Sequence, residues 1–173
     1  REGRQPRRYA GVIFPMWVQV LASLGDLRMA LVGTALVAAL LAYRGERHLA
    51  MAFVSGILLS IAAIVAMKLA GTILIHASIG STIGSPSGHT ALGTALVGSI
   101  AMLLGYNRSA FYRIAFLVLA GLTSFIVAYS RIANDAHTTF EVVEGFVIGL
   151  LAPIVLNVAI RRRRDDEQTP ALP

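Results

Sequence analysis

Two short polar stretches contain the residues whose types and spacing can support chemistry. The first is Ser85-Pro86-Ser87-Gly88-His89, and the second runs from Ser130-Arg131 through His137 to Glu141. Both stretches lie where long apolar runs begin or end. The rest of the chain is therefore interpreted as a scaffold that brings them together.

The first stretch has the pattern of a helix start. Ser85 can cap the helix and Pro86 suits its first position, so the amides around Ser87 and Gly88 have no intrahelical partner. Free amides at the positive end of a helix dipole bind anions, and glycine lets an anion approach the backbone. His89 follows directly and can protonate a group that leaves the anion. From this stretch alone, a capped turn with an interfacial histidine is an equal alternative.

The second stretch combines an imidazole, a carboxylate and a guanidinium. His137 and Glu141 are four residues apart, so they share one face of a helix. A carboxylate one turn away holds the tautomer of an imidazole and raises its basicity, as a nucleophilic or basic histidine requires. Arg131 presents a planar fork that suits two phosphate oxygens. The alternative is that Arg131 ends a span, His137 is an interfacial residue and Glu141 is a buried acid paired with Arg131. Glu144, nearly on the same face as Glu141, is interpreted as a packing or hydrogen-bonding group.

The composition indicates an integral membrane protein. The 173 residues are 56% hydrophobic and 14% charged, and the mean hydropathy of +0.71 is positive. The net charge of +6 does not indicate a nucleic-acid partner, because the arginines occur in small groups between apolar runs without stacking aromatics. The absence of cysteine excludes disulfides, thiolate metal sites and thiol catalysis. No obligatory protein partner is inferred.

Six apolar runs predict an all-α, polytopic bundle of six transmembrane helices. The first run is short for a span, so an interfacial helix is the alternative. Residues 1–164 are expected to form a single membrane domain, followed by a polar and unstructured tail, 165–173. The runs cover residues 10–24, 27–43, 49–75, 86–105, 114–129 and 138–160.

The basic residues predict the orientation, since cytoplasmic loops collect lysine and arginine. Most of them lie in four segments that share one side if the first run crosses the membrane, which predicts that both termini are cytoplasmic. These segments are 1–9, 44–48, 106–113 and 161–164. A second group maps to the outer side, where topology does not explain it: Arg28, Lys68, Arg131, His76, His89 and His137.

Taken together, the two stretches resemble the type 2 phosphatidic acid phosphatase superfamily. The family pattern has three parts: a lysine, six residues and Arg-Pro; then Pro-Ser-Gly-His; then Ser-Arg, five residues, His, three residues and Asp. The second part is intact at 86–89, and the third is present at 130–141 with Glu141 in place of Asp. Of the first part only Lys68 is present, because Ile75 and His76 stand where Arg-Pro would fall. His76 or Arg28 are candidates to replace the missing arginine.

The resemblance implies a role for each matched residue. His137 would attack phosphorus and form a phospho-histidine, Glu141 would orient its imidazole, and His89 would protonate the leaving group and later activate water. Lys68, Arg131 and the amides around Ser87 and Gly88 would hold the phosphate. Such a site needs no metal or cofactor. The residues agree, since the outer side lacks a carboxylate cluster and its basic groups repel a cation.

The resemblance also implies a lipid substrate and a place in the bacterial inner membrane, with the site facing the exterior. The substrate classes are undecaprenyl diphosphate, phosphatidylglycerol phosphate, phosphatidic acid and lipid A phosphate. Two alternatives stay within the family: binding of lipid phosphates with little turnover, and phosphate transfer between lipids. A third is a small transporter with a polar path through Lys68, His137, Glu141 and Glu144, which their clustering on one side disfavours.

Overall fold

The computed structural model describes residues 15–77 and 85–168, with the side chains of residues 17, 74–77 and 167–168 left out. Within these ranges the regular secondary structure is entirely α-helical, so the predicted all-α class is confirmed. The helices are α1 (Met16–Ser23), α2 (Leu27–Tyr43), α3 (Arg47–Ala77), α4 (Gly88–Gly105), α5 (Ala110–Ala133), α6 (Thr139–Gly149) and α7 (Leu151–Gln168).

Four segments of the described chain have the length and apolarity to cross a membrane: 47–73, 88–105, 110–133 and 139–166. Helix α2 is also apolar but has only 17 residues. Helix α1 has eight residues, and the start of the predicted first run, 10–14, lies outside the described residues. The chain is therefore a membrane protein, while the number of six spans stays a prediction. Large apolar side chains that face outward, such as Leu36 and Phe125 (each 66% exposed), fit a lipid environment.

Helix α4 is the centre of the bundle and packs against each of the other six described helices. Small residues make this possible, because glycine, alanine, serine and threonine let helix backbones approach closely. Ten residues of α4 are buried, most of them of these four types. Around it lie two apolar clusters, one centred on Phe53 and Leu156 and the other on Ala91 and Ile148. The functional stretch that begins α4 is thus held at the core of the fold.

The last predicted span is divided into two helices. Helix α6 ends at Gly149 and α7 starts at Leu151, two residues before Pro153. Proline has no amide hydrogen and clashes with the preceding turn, which explains a break at this point. The Ser60 hydroxyl donates to the carbonyl of Ile148 (3.4 Å) and so helps to satisfy the backbone beside the break.

The end of the bundle where α4 finishes and α5 starts is rich in arginine. Side-chain contacts there connect α7 to the start of α3 and the end of α4. Arg163 forms an ion pair with Glu46, and Arg164 donates to the Tyr106 carbonyl (2.6 Å). Helix α7 continues past the four arginines to Gln168. The expectation that the chain becomes unstructured at Asp165 is therefore wrong for residues 165–168, while residues 169–173 lie outside the described part.

Candidate active site

Helix α4 begins at Gly88, with Ser87 as its N-cap. The Ser87 hydroxyl is buried and accepts hydrogen bonds from the Thr90 amide (3.4 Å) and the Thr90 hydroxyl (3.0 Å). The prediction that Ser85 caps the helix and Pro86 takes its first position is therefore wrong by two residues, since Ser87 and Gly88 hold these places. The amides of Ser85 and Ser87 both donate to Glu141, at 2.8 and 2.9 Å, so the chain is held against α6 up to Ser87. The helix starts after Ser87, whose hydroxyl reaches an amide of the first helical turn.

The open amides at this helix start are those of Gly88 and His89. The Ser87 amide is not available, because it donates to the Glu141 carbonyl (2.9 Å). The amides of Gly88 and His89 belong to the first turn, where no intrahelical carbonyl can reach them, and no partner is found for them among the described residues. They form the part of this stretch that can accept an anion.

The end of α5 fixes Arg131 close to His137. Helix α5 closes with a Schellman motif, in which Asp135 donates to Ile132 O (3.0 Å) and Ala136 donates to Arg131 O (3.0 Å). Asp135 takes the left-handed conformation this motif needs, with φ at 52°, which aspartate tolerates better than most residues. The His137 amide also donates to Arg131 O (3.3 Å). The five-residue spacing between Arg131 and His137 is therefore a compact, hydrogen-bonded turn.

His137 and Glu141 form the pair that their spacing predicts. His137 Nδ1 lies 3.2 Å from Glu141 Oε2, and both side chains are largely buried. The same Oε2 accepts from the Thr138 amide (2.8 Å), while the Thr138 hydroxyl accepts from the Glu141 amide (3.3 Å). This reciprocal arrangement is a capping box at the start of α6. The hydrogen bond from the Thr138 amide therefore holds the Glu141 carboxylate in the position from which it contacts the His137 imidazole.

Glu141 also joins the two functional stretches. One oxygen binds the Ser85 amide, the other binds His137 and the Thr138 amide, and the Glu141 carbonyl binds the Ser87 amide. Close helix packing allows these contacts. A Cβ at Gly145, one turn after Glu141, would collide with the Ser87 carbonyl. Glycine at this position therefore lets α6 approach the start of α4.

Within residues 15–77 and 85–168, Arg131 has no hydrogen-bond or ion-pair partner for its guanidinium group. Its Nε atom is buried, and among the described residues it has no hydrogen-bond acceptor. In the described chain the Glu141 carboxylate binds the His137 ring and the amides of Thr138 and Ser85, and it forms no ion pair with Arg131. The alternative reading of Arg131 and Glu141 as a buried ion pair is thus not observed. Glu144 is half-buried, and its Oε2 likewise has no partner in the described chain.

Four charged or titratable groups act electrostatically on the His89 imidazole: Arg131, Asp26, His137 and Lys68. Three of them were predicted to belong to the site, and the structure brings them to one end of the bundle. Asp26 was not predicted. It follows Gly25, whose Cα is so close to the His89 carbonyl that no side chain would fit there. A Gly-Asp pair between two apolar runs indicates a turn, but nothing in the sequence shows that this turn packs against α4.

The other predicted residues are placed less closely. Lys68 lies on an exposed face of α3, and Arg28 is exposed in the first turn of α2. The side chain of His76 lies outside the described residues, as does the segment 78–84. In the part of the chain that is described, no three histidine, aspartate or glutamate side chains form a group that would hold a metal ion.

The helical bundle, its outward apolar surface and a polar site at one end define the class. The chain is an all-α membrane protein with a histidine–carboxylate pair near an arginine that has no partner in the described part of the chain. The pattern of the PAP2 superfamily matches residues 71–165, more than half of the chain, and includes both functional stretches. The chain belongs to the PAP2 superfamily. Lys68 lies just before the matched region.

The fold is similar to a solved structure, the first transmembrane PAP2-type phosphatidylglycerolphosphate phosphatase from Bacillus subtilis. The TM-score is 0.58 and the sequence identity is 19%, over 94% of this chain and 83% of the other. At this identity the similarity establishes the shared fold. A comparison with curated proteins gives no match.

Proposed function

We propose that this protein is a lipid phosphate phosphatase that works through a phospho-histidine at His137. The observation that carries the proposal is the position of Glu141, whose carboxylate binds both the His137 ring and the Ser85 amide. It thereby joins the imidazole to a helix N-terminus, in one site with Arg131; the amides of this terminus and the Arg131 guanidinium have no partner among the residues that the structure describes. Membership of the PAP2 superfamily and the fold shared with a phosphatidylglycerolphosphate phosphatase support the same activity.

This geometry supports the following first half of the proposed reaction. With Nδ1–H donated to Glu141, the lone pair on His137 Nε2 attacks phosphorus, and the bond between phosphorus and the leaving oxygen breaks. Protonated His89 gives its proton to that oxygen, so a lipid alcohol leaves neutral, and a lipid phosphate leaves with one negative charge fewer. Arg131, Lys68 and the amides of Gly88 and His89 hold the equatorial oxygens, where negative charge is greatest. Ser87 acts indirectly, because it caps the helix that presents those amides.

In the second half of the proposed reaction, His89 acts as a base and His137 is the leaving group. Neutral His89 accepts a proton from water, the water oxygen attacks phosphorus, and the phosphorus–nitrogen bond to His137 breaks to release inorganic phosphate. Neither step requires a metal ion. The positive charges of Arg131 and, more weakly, Lys68 act on His89 and support this part of the proposal, since they favour an anion and oppose a divalent cation.

The site lies at the end of the bundle opposite the basic segments, which include 44–47, 108–113 and 161–164. Under the positive-inside rule those segments are cytoplasmic, so the site faces the exterior of the bacterial inner membrane. A site at the ends of lipid-facing helices can take a headgroup while the hydrocarbon chains stay in the bilayer. The substrate class is therefore a lipid monophosphate or diphosphate.

Phosphate release by the detergent-purified protein tests this function. We expect release from at least one member of a panel of phosphatidic acid, phosphatidylglycerol phosphate, undecaprenyl diphosphate and lipid A phosphate, at a rate that excess EDTA changes by less than about twofold. Release that stops in EDTA and returns with Mg²⁺ would overturn metal independence. Binding of these lipids without release would favour the second candidate, a lipid-phosphate-binding protein. The observation that favours it is Ile75 in place of the family arginine.

A further inference from the structure

The basic end of the bundle contains a cavity of about 310 Å³ between α4, α5 and α7. We call it the basic cavity and define it by Tyr106, Arg113, Asn157, Arg161 and Arg164, which line it together with apolar side chains. No acidic residue is among its described lining residues. Its volume is within the range of small-molecule sites. It lies at the opposite end of the helices from His137, so the proposed phosphatase reaction does not use it.

The arginines of the basic cavity are held in different ways. Arg164 is fixed, because it donates to the Tyr106 carbonyl (2.6 Å) and lies over the Tyr106 ring, 5.3 Å from its centroid. Arg113 is brought close by Gly105, where a Cβ would meet the Arg113 Cγ at 3.0 Å. Neither Arg113 nor Arg161 has a hydrogen-bond or ion-pair partner among the described residues. Their guanidinium groups are therefore free to bind an anion.

An apolar groove of about 290 Å³ continues from this cavity toward the middle of the bundle. The two spaces share Met102, Leu117 and Asn157 as lining residues. The groove also includes Gly121, Phe146 and Ile154, all of which are partly exposed on the outer surface of α5, α6 and α7. Asn157 stands at the junction, with no partner for its amide in the described chain. A polar end with free cations thus leads directly into a space that suits hydrocarbon.

We infer that the basic cavity and the apolar groove together bind one anionic glycerophospholipid, with its phosphate on Arg113, Arg161 and Arg164 and an acyl chain in the groove. Charge complementarity selects the anionic headgroup. Three arginines, with no carboxylate among the described lining residues, favour a phosphate that carries net charge over a zwitterion. Continuity with the groove selects a lipid over free phosphate. This inference does not depend on the proposed phosphatase activity.

Native mass spectrometry of the detergent-purified protein with added phosphatidylglycerol or phosphatidylcholine of the same chains tests the site. We expect about tenfold stronger retention of phosphatidylglycerol, and a loss of about tenfold in Arg161→Gln or Arg113→Gln, as for one charged hydrogen bond. Arg162→Gln is the matched control. It removes the same charge from the adjacent position on α7, where Arg162 lines a different cavity, and it should leave retention unchanged.

A second pair of variants tests whether an acyl chain occupies the apolar groove. A side chain at Gly121 would meet no protein atom within 4 Å at its Cβ, so Gly121→Leu fills the groove without disturbing the helices and should displace the acyl chain. Gly71→Leu on α3 is the control, because its Cβ is equally free and it does not line the groove.

Three results would overturn the inference. The first is equal retention of phosphatidylglycerol by Arg161→Gln and Arg162→Gln, or by Gly121→Leu and Gly71→Leu. The second is equal retention of the two lipids, or displacement by glycerol 3-phosphate, which lacks an acyl chain, at the same concentration as by the lipid. The third is retention lost in Arg131→Gln and kept in Arg161→Gln, which would place the lipid at the other end of the bundle.

Discussion

Replacement of His137 by alanine is expected to lower phosphate release by about 10⁴-fold or more, because the group that attacks phosphorus is removed. The helix start should survive this change. The capping box between Thr138 and Glu141 uses the backbone and the threonine hydroxyl, and the turn from Arg131 uses the His137 amide, which alanine retains. Steady-state release from the best lipid of the panel, with the thermal midpoint measured in parallel, checks the prediction.

His48→Ala is the matched control for this variant. His48 lies near the start of α3 at the basic end, its side chain is 43% exposed, and its nearest ionic partner is Glu46 at 3.9 Å. It should keep the activity of the parent protein. Comparable release by the His137 and His48 variants would remove His137 from the reaction, since a nucleophile cannot be replaced by a methyl group.

The second large effect is expected at Glu141. Glu141→Gln should lower kcat by about 10³- to 10⁴-fold, because the amide no longer holds the His137 tautomer or stabilises its positive charge. Glu141→Asp should retain more activity, with a loss of about tenfold, since the charge is kept. A side chain shorter by one methylene cannot keep its contacts with both His137 and the Ser85 amide where they now lie. The ratio of the two variants in kcat, with KM measured separately, checks this.

Glu46→Gln is the control for the loss of a carboxylate. Glu46 pairs with Arg163 at the basic end, so its replacement affects stability there and should leave kcat unchanged. If Glu141→Gln retained the parent kcat while its thermal midpoint fell, Glu141 would only brace α4 against α6. Its role as the group that orients His137 would then be wrong.

Much of the helical framework could be predicted, because long apolar runs leave few choices. Helix α2 has the predicted bounds, 27–43, because a polar segment that contains glycine lies on each side of it. Gly25-Asp26 precede the helix and Arg44-Gly45-Glu46 follow it. The apolar run at 138–160 predicts a single helix, yet the structure has two helices that meet at Leu150. The hydropathy pattern does not reveal this break, because Pro153 carries no charge or polar side-chain group that would interrupt an apolar run. The break arises because proline lacks the amide hydrogen needed for a helical hydrogen bond.

The site was predictable where its contacts are local in sequence. A spacing of four places His137 and Glu141 on one helix face, and the structure shows their contact. The bond from the Ser85 amide to Glu141 spans 56 residues and depends on the absence of a side chain at Gly145, so no local pattern reveals it. The proximity of Asp26 to His89 depends in the same way on close packing at Gly25. Glycine is common in membrane helices, so its presence alone does not show which two segments pack together at that position.

The most direct test of the phospho-histidine is to trap it in the His89→Ala variant with an aryl phosphate. An aryl oxide leaves without a proton, so the first step proceeds, whereas hydrolysis lacks its base and the intermediate accumulates. We predict one acid-labile phosphoryl group on His137, detected by mass spectrometry of peptides prepared at alkaline pH, and none in the His89→Ala, His137→Ala double variant. Aryl phosphate turnover with phosphate on another residue, or with equal labelling of the double variant, would contradict the mechanism.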